Sequence, residues 1–258
     1  LPLIFTGAWM GAGGRFPAIG ILILIVFAAL GARIFGMACN RIFDRHIDAQ
    51  NPRTAGRELP SGKMSVGMAV AVAAAGLVAY LIACALLGSW CLKLAVIPLI
   101  PLLGYSLLKR YTPLCHFGIG LCLALAPLGA FIAAAGHLHF SLSVLLFSLF
   151  VFCWLSGADV IYAILDIGHD RGHGIHSLPA RLGAVGAQKV AAVVHTVALT
   201  ALVIILLITG GGGAAWFMLG LAAIVFVLMY IPSIPVGTRF FPISTIAGIA
   251  GALVPMLA

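Results

Sequence analysis

Six carboxylates serve the whole 258-residue chain. They fall in two stretches: Asp44, Asp48 and Glu58 in the first, Asp159, Asp166 and Asp170 in the second. Within each stretch the spacing is helical. Asn40, Asp44 and Asp48 step by four, as do Asp166 and Asp170, and residues four apart share a helix face about 6 Å apart along the axis. Two such faces turned toward each other would form a dense anionic pocket. Carboxylates gathered in an apolar protein usually hold a divalent metal or move protons. Carboxylate and amide oxygens suit Mg²⁺, which keeps waters and is completed by substrate phosphates. His169, His173 and His176 raise zinc as an alternative, but their spacing in a glycine-containing loop is weak evidence for it.

The surroundings of the two clusters narrow the ligand. Arg33, Met37, Asn40, Asp44 and Asp48 lie on one face of a helix, with Arg33 two turns deeper than Asn40. An arginine inside an apolar span is costly and rarely faces lipid, so it should point into a polar cavity lined by the same face. The plain alternative for Arg33 is an interhelical salt bridge. For Asp44 and Asp48 it is a solvated helix end with neighbours such as Arg41 and Arg45. Asp159, Tyr162, Asp166 and Asp170 form a second stripe, at steps of three, four and four. Many basic groups flank both. Mg²⁺ bridging carboxylates to phosphate oxygens, with Arg and Lys neutralising the rest, suits a diphosphate whose hydrocarbon tail lies among apolar helices.

The elements that must position these residues are membrane helices. Hydrophobic residues make up 63% of the chain and charged residues 8%, with a mean hydropathy of +1.22. The apolar runs fall at 1–14, 17–41, 65–89, 91–108, 114–136, 141–165, 186–209, 213–233 and 240–258. They predict an all-α, polytopic fold of about nine transmembrane helices around a central cavity open to the cytoplasmic face. Residues 1–258 read as one domain. The first run is short and starts at Leu1 without an initiator Met, so it reads as the tail of a truncated first helix. With the loop 41–64 inside, alternation leaves only Arg15 and Lys93 outside, the bias expected of a multi-pass cytoplasmic membrane protein. The net charge of +8 then reflects topology and calls for no nucleic acid. The six cysteines form no CxxC pair and read as packing residues.

At this point the motifs carry a family resemblance. Arg-x2-Gly-x3-Asn-x3-Asp-x3-Asp over 33–48, then Asn-Pro-Arg-Thr-Ala-Gly-Arg at 51–57 and Pro-Ser-Gly at 60–62, resembles the first signature of the UbiA superfamily of intramembrane aromatic prenyltransferases. Asp159-x2-Tyr162-Ala-x2-Asp166-x3-Asp170 resembles its second, and Tyr105-Ser106-x2-Lys109-Arg110-Tyr-Thr the stretch after its fourth helix. The nearest members are the 4-hydroxybenzoate polyprenyltransferases and the menaquinone prenyltransferases of the futalosine route, toward which residues 174–183 lean. One departure is Arg41, where some members carry an acid, and no metal ligand is assigned there.

The resemblance implies Mg²⁺-dependent transfer of a polyprenyl group from its diphosphate to the ring of a hydroxyaryl carboxylate, 4-hydroxybenzoate or a dihydroxynaphthoate, in quinone biosynthesis. The setting would be a bacterial or archaeal inner membrane. Asn40, Asp44 and Asp48 would hold one Mg²⁺ and Asp166 with Asp170 a second, with Asp159 counted among the metal-binding acids. Arg53, Arg57, Lys109 and Arg171 would stabilise the departing diphosphate. Arg33 is the candidate for the acceptor's carboxylate or for support of Asp44. Tyr105 and Tyr162 would shield the allylic cation, hydrogen-bond in the site, or simply pack. Two other classes compete. A CDP-alcohol phosphotransferase needs Asp-Gly and Ala-Arg between its aspartates, which this chain lacks, and a divalent-cation transporter needs carboxylates near the outer face, where none occurs.

Overall fold

The computed structural model describes residues 1–258 as helices joined by short connections, with no strand. The helices are α1 (Pro2–Gly11), α2 (Ile19–Gln50), α3 (Val66–Leu87), α4 (Ser89–Leu94), α5 (Val96–Leu108), α6 (Cys115–Ala135) and α7 (Leu142–Tyr162). They continue as α8 (Ile167–Gly172), α9 (Leu178–Thr209), α10 (Gly213–Leu228), α11 (Val236–Thr238) and α12 (Ser244–Leu257). A 3₁₀ turn, Ala163–Asp166, links α7 to α8, and a π turn, Arg239–Ile243, links α11 to α12. Taking α4 with α5 as one column, and leaving α8 and α11 as short connectors, gives nine helical columns, as the apolar runs predict. Seven are long and apolar enough to cross a membrane, while α10 is shorter.

Length explains how the chemistry reaches the end of the bundle. The 32 residues of α2 extend about 48 Å, well beyond a hydrocarbon core of about 30 Å. The turns carrying Asp44 and Asp48 therefore belong to its polar end, whereas Arg33 lies within. Side chains such as Ile19, Phe27, Val78, Leu207 and Phe217 stay exposed on the outside of the bundle, where lipid rather than water is the apolar partner.

Small residues set the helix spacing. At the α2–α3 crossing, a Cβ on Gly31 would stand 2.7 Å from the backbone N of Tyr80 and 2.8 Å from the Gly76 carbonyl oxygen. Close backbone approach of this kind drives association where lipid removes the hydrophobic force between helices. The largest core, built by α7, α9, α10 and α12, includes Phe147, Phe150, Ile161, Leu202, Ile205 and Met229. Thr6 closes α1 onto α12 by donating to the Ala252 carbonyl at 2.9 Å.

Three breaks were not visible in the runs. The fourth run divides at Ala95 into α4 and α5, after Gly88 has turned the chain with φ of 127°. The acidic stripe of the second cluster also crosses a break, because Asp166 has φ −104° and ψ 5°. The break separates Asp159 and Tyr162 from Asp166, which stands at the start of α8 with Asp170 one turn further on. A similar break within α9 falls at Gly183, with φ of 72°, a conformation that costs glycine little.

Candidate active site

The connection 51–65 folds back over the ends of α2 and α7 and ties the two acidic stretches together. Asn51 ends α2 in an extended conformation. Its Nδ2 donates to Asp166 Oδ1 at 2.8 Å, while its Oδ1 accepts from the Arg53 backbone at 2.9 Å. Arg53 then forks onto Asp166, with Nε donating to Oδ1 at 3.0 Å and Nη2 to Oδ2. Its Nη1 donates to the Tyr162 hydroxyl at 2.9 Å, and the guanidinium carbon lies 5.1 Å from the Tyr162 ring centroid. Burial disfavours the Arg53 charge, but the hydrogen bonds and negative charge of Asp166 outweigh it and hold the guanidinium above the usual arginine range.

The first cluster is paired in the same manner. Arg57 Nη1 donates to both oxygens of Asp48 at 2.8 Å, and Thr54 anchors the loop by donating to the Asp48 carbonyl at 3.0 Å. Lys109, just after α5, places Nζ 2.7 Å from Asp44 Oδ2, and Asn40 Nδ2 donates to that same oxygen at 2.8 Å. Glu58 lies 3.9 Å from Arg41. Asp44 and Asp48 are 2% and 4% exposed, so unpaired charges there would be severely destabilising. No three acidic, histidine or cysteine side chains stand close enough to cage a metal on their own. Instead each carboxylate has taken a partner from its own chain.

One atom breaks that pattern. Asp44 Oδ1 is buried and has no hydrogen-bond partner. A buried carboxylate oxygen left bare is expensive unless something else reaches it, and a hard cation beside Asn40 and Asp48 would satisfy it. The donor set is oxygen throughout, which suits Mg²⁺. The residues fit the ion implied by the motifs.

The remaining predicted residues divide. Asp170 is buried and accepts from Ser177 Oγ at 2.7 Å. Asp159 pairs with the buried His116, Nδ1 to Oδ2 at 2.7 Å. The Leu178 N–H donates to His116 Nε2 at 3.4 Å, leaving Nδ1 as the donor to Asp159. Tyr105 packs its Cβ toward Gly118 of α6. Arg171 donates Nε to the Ala180 carbonyl at 2.8 Å and so holds the start of α9. Arg33 is exposed on α2 and forms no ion pair. Sequence reasoning assigned no role to His116, Ser177 or the Asn51 side chain. For His116 a signal existed, since an ionisable side chain in an apolar span calls for a partner.

This geometry, two acid clusters bridged by arginines at one end of a membrane bundle, accords with the comparisons. The profile of the UbiA prenyltransferase family matches residues 1–234. The chain belongs to that family. A 4-hydroxybenzoate octaprenyltransferase from Legionella pneumophila (strain Corby) is 32% identical over 169 residues, or 66% of this chain. That match spans only 59% of the Legionella protein. The enzyme of the same name from Coxiella burnetii (strain CbuK_Q154) is 29% identical over 86% of this chain and 75% of its own. Among solved structures, the apo UbiA homologue from Aeropyrum pernix K1 has a TM-score of 0.83 at 33% identity, covering 98% of this chain and 94% of that one. The Archaeoglobus fulgidus homologue bound to GPP and Mg²⁺ shares the fold, with a TM-score of 0.68 at 17% identity over 98% of this chain and 95% of its own.

Proposed function

We propose that this UbiA-family chain transfers a polyprenyl group from polyprenyl diphosphate to a ring carbon of a hydroxyaryl carboxylate, 4-hydroxybenzoate or a dihydroxynaphthoate, in a prokaryotic cytoplasmic membrane. Residues 1–258 act as one domain in this reading, with the acidic end of the bundle facing the cytoplasm, in line with the distribution of Arg and Lys. The observation that carries it is the bare, buried Asp44 Oδ1 amid carboxylates whose present partners are the basic groups a diphosphate would need. The names of the relatives and the GPP and Mg²⁺ bound by the archaeal homologue support the same chemistry.

Asn40, Asp44 and Asp48 would hold one Mg²⁺, and Asp166 with Asp170 a second. Ions held there would offset the negative charge that develops as the diphosphate departs. Arg53, Arg57 and Lys109 turn from carboxylates to phosphate oxygens and stabilise the same charge. As the allylic C–O bond breaks, its electron pair leaves with the diphosphate. The ring's π electrons form the new C–C bond, and the displaced ring proton passes to a base. Tyr105 and Tyr162 border the place where cationic character develops. Arg33, with no acid of its own, receives the acceptor's carboxylate. Asp159 is held by His116 and takes no part in the Arg53 and Arg57 pairings.

Release of diphosphate from a polyprenyl donor by the purified protein tests the reading. It should require both a divalent cation and a hydroxyaryl acid, and Asp44→Asn or Asp166→Asn should each abolish it. Normal turnover by either variant in saturating Mg²⁺ would sink the two-cluster mechanism.

A further inference from the structure

The polar end holds a second cavity of different chemistry. It has a volume of about 260 Å³ and is lined by His46, Gln50, Arg110, His173, Gly174 and two isoleucines, without a carboxylate. Three segments that carry active-site residues build it from their reverse sides. On α2, Asp44 and Asp48 pair with Lys109 and Arg57, whereas His46 and Gln50 line the cavity. Lys109 turns to Asp44, and the adjacent Arg110 borders the cavity. Asp170 packs on Ser177, and His173, one turn later, reaches the cavity wall.

The charge balance there is one-sided. All six acids are engaged: Asp44 with Lys109, Asp48 with Arg57, Glu58 with Arg41, Asp159 with His116, Asp166 with Arg53 and Asp170 with Ser177. Arg110 is left without a side-chain counterion. One of its nitrogens donates to the Phe43 carbonyl at 2.5 Å, which fixes the guanidinium and leaves other N–H groups free. His173 is held by its Nδ1 against the His169 carbonyl at 2.9 Å and by stacking on the His169 ring. Gly174, at φ of 65°, spends its N–H on no backbone partner. A fixed guanidinium, an amide and a free backbone N–H around an acid-free cavity form an anion receptor.

We propose that this cavity is a phosphate-binding site separate from the carboxylate site, with Arg110 as its anchor and Gln50 and Gly174 as supporting donors. The phosphate would come from free diphosphate or from a lipid headgroup. The inference does not depend on prenyl transfer and is tested without substrate. Equilibrium binding of radiolabelled inorganic diphosphate would be measured on the purified protein in phosphatidylcholine nanodiscs, with EDTA present.

One saturable site is expected. Arg110→Met should weaken it at least tenfold, Arg110→Lys by less, and Gln50→Ala, which leaves the Phe43 anchor intact, about threefold. Arg53→Ala should leave it unchanged. Nanodiscs containing phosphatidylglycerol separate the sources. Continued diphosphate binding supports the free anion, whereas loss of binding with Arg110-dependent retention of phosphatidylglycerol in native mass spectra supports the headgroup. Absence of saturable binding to either ligand, binding that survives Arg110→Met, or binding that disappears with Arg53→Ala overturns the proposal.

Discussion

Asp44 faces two demands at once: it must be neutralised in the resting protein and still have an oxygen to offer. Lys109 and Asn40 share Oδ2, and Oδ1 stays bare. Removing one partner of a fully buried ion pair costs about 3–5 kcal/mol. Lys109 keeps 24% side-chain exposure, so water absorbs part of its stranded charge, and Asp44→Asn is expected to cost about 1–3 kcal/mol. Adding Lys109→Met should restore most of that loss in thermal unfolding while leaving transfer dead. If the double variant melts no higher than the single, the pair does not stabilise the resting site. Arg33 poses the opposite problem, a cation without an anion. Arg33→Met should raise the Michaelis constant for the aryl acid at least tenfold while that for the polyprenyl diphosphate changes little. A change confined to the donor would assign Arg33 to the diphosphate instead.

The connection 51–65 works as an element because its cations occupy the acids that the proposed metals would use. Arg57 holds Asp48 and Arg53 holds Asp166, so a metal arriving alone must displace both arginines and leave them without partners. A diphosphate arriving with the metal accepts them. Mg²⁺ binding measured calorimetrically should therefore be weak alone and at least tenfold tighter with diphosphate present. Arg53→Ala and Arg57→Ala should move the two ligands in opposite directions, strengthening Mg²⁺ binding alone and weakening the prenyl donor. Variants that weaken both equally would show the loop to be a scaffold rather than a competitor for the carboxylates.

Across the whole molecule, what was legible in the sequence follows from local patterning. Apolar runs located the helical columns because the lipid demands about 20 apolar residues per span. Four-residue steps exposed Asn40, Asp44 and Asp48 because α2 continues without a break to Gln50. The second stripe, from Asp159 to Asp170, is interrupted between Tyr162 and Asp166 by a 3₁₀ turn, and no proline or glycine within that turn announces it. Pairings such as Arg53 with Asp166 and His116 with Asp159 span 113 and 43 residues and depend on how α2, α6 and α7 are packed, which periodicity does not encode. The most direct test is of the proposed transfer of a polyprenyl chain to an aromatic acid. Membranes containing the protein, given radiolabelled polyprenyl diphosphate, Mg²⁺ and either 4-hydroxybenzoate or a dihydroxynaphthoate, should yield a lipid-soluble acid prenylated at ring carbon, identified by mass spectrometry and absent without Mg²⁺. A donor left intact, or merely hydrolysed to its alcohol with every acid tried, would contradict the account.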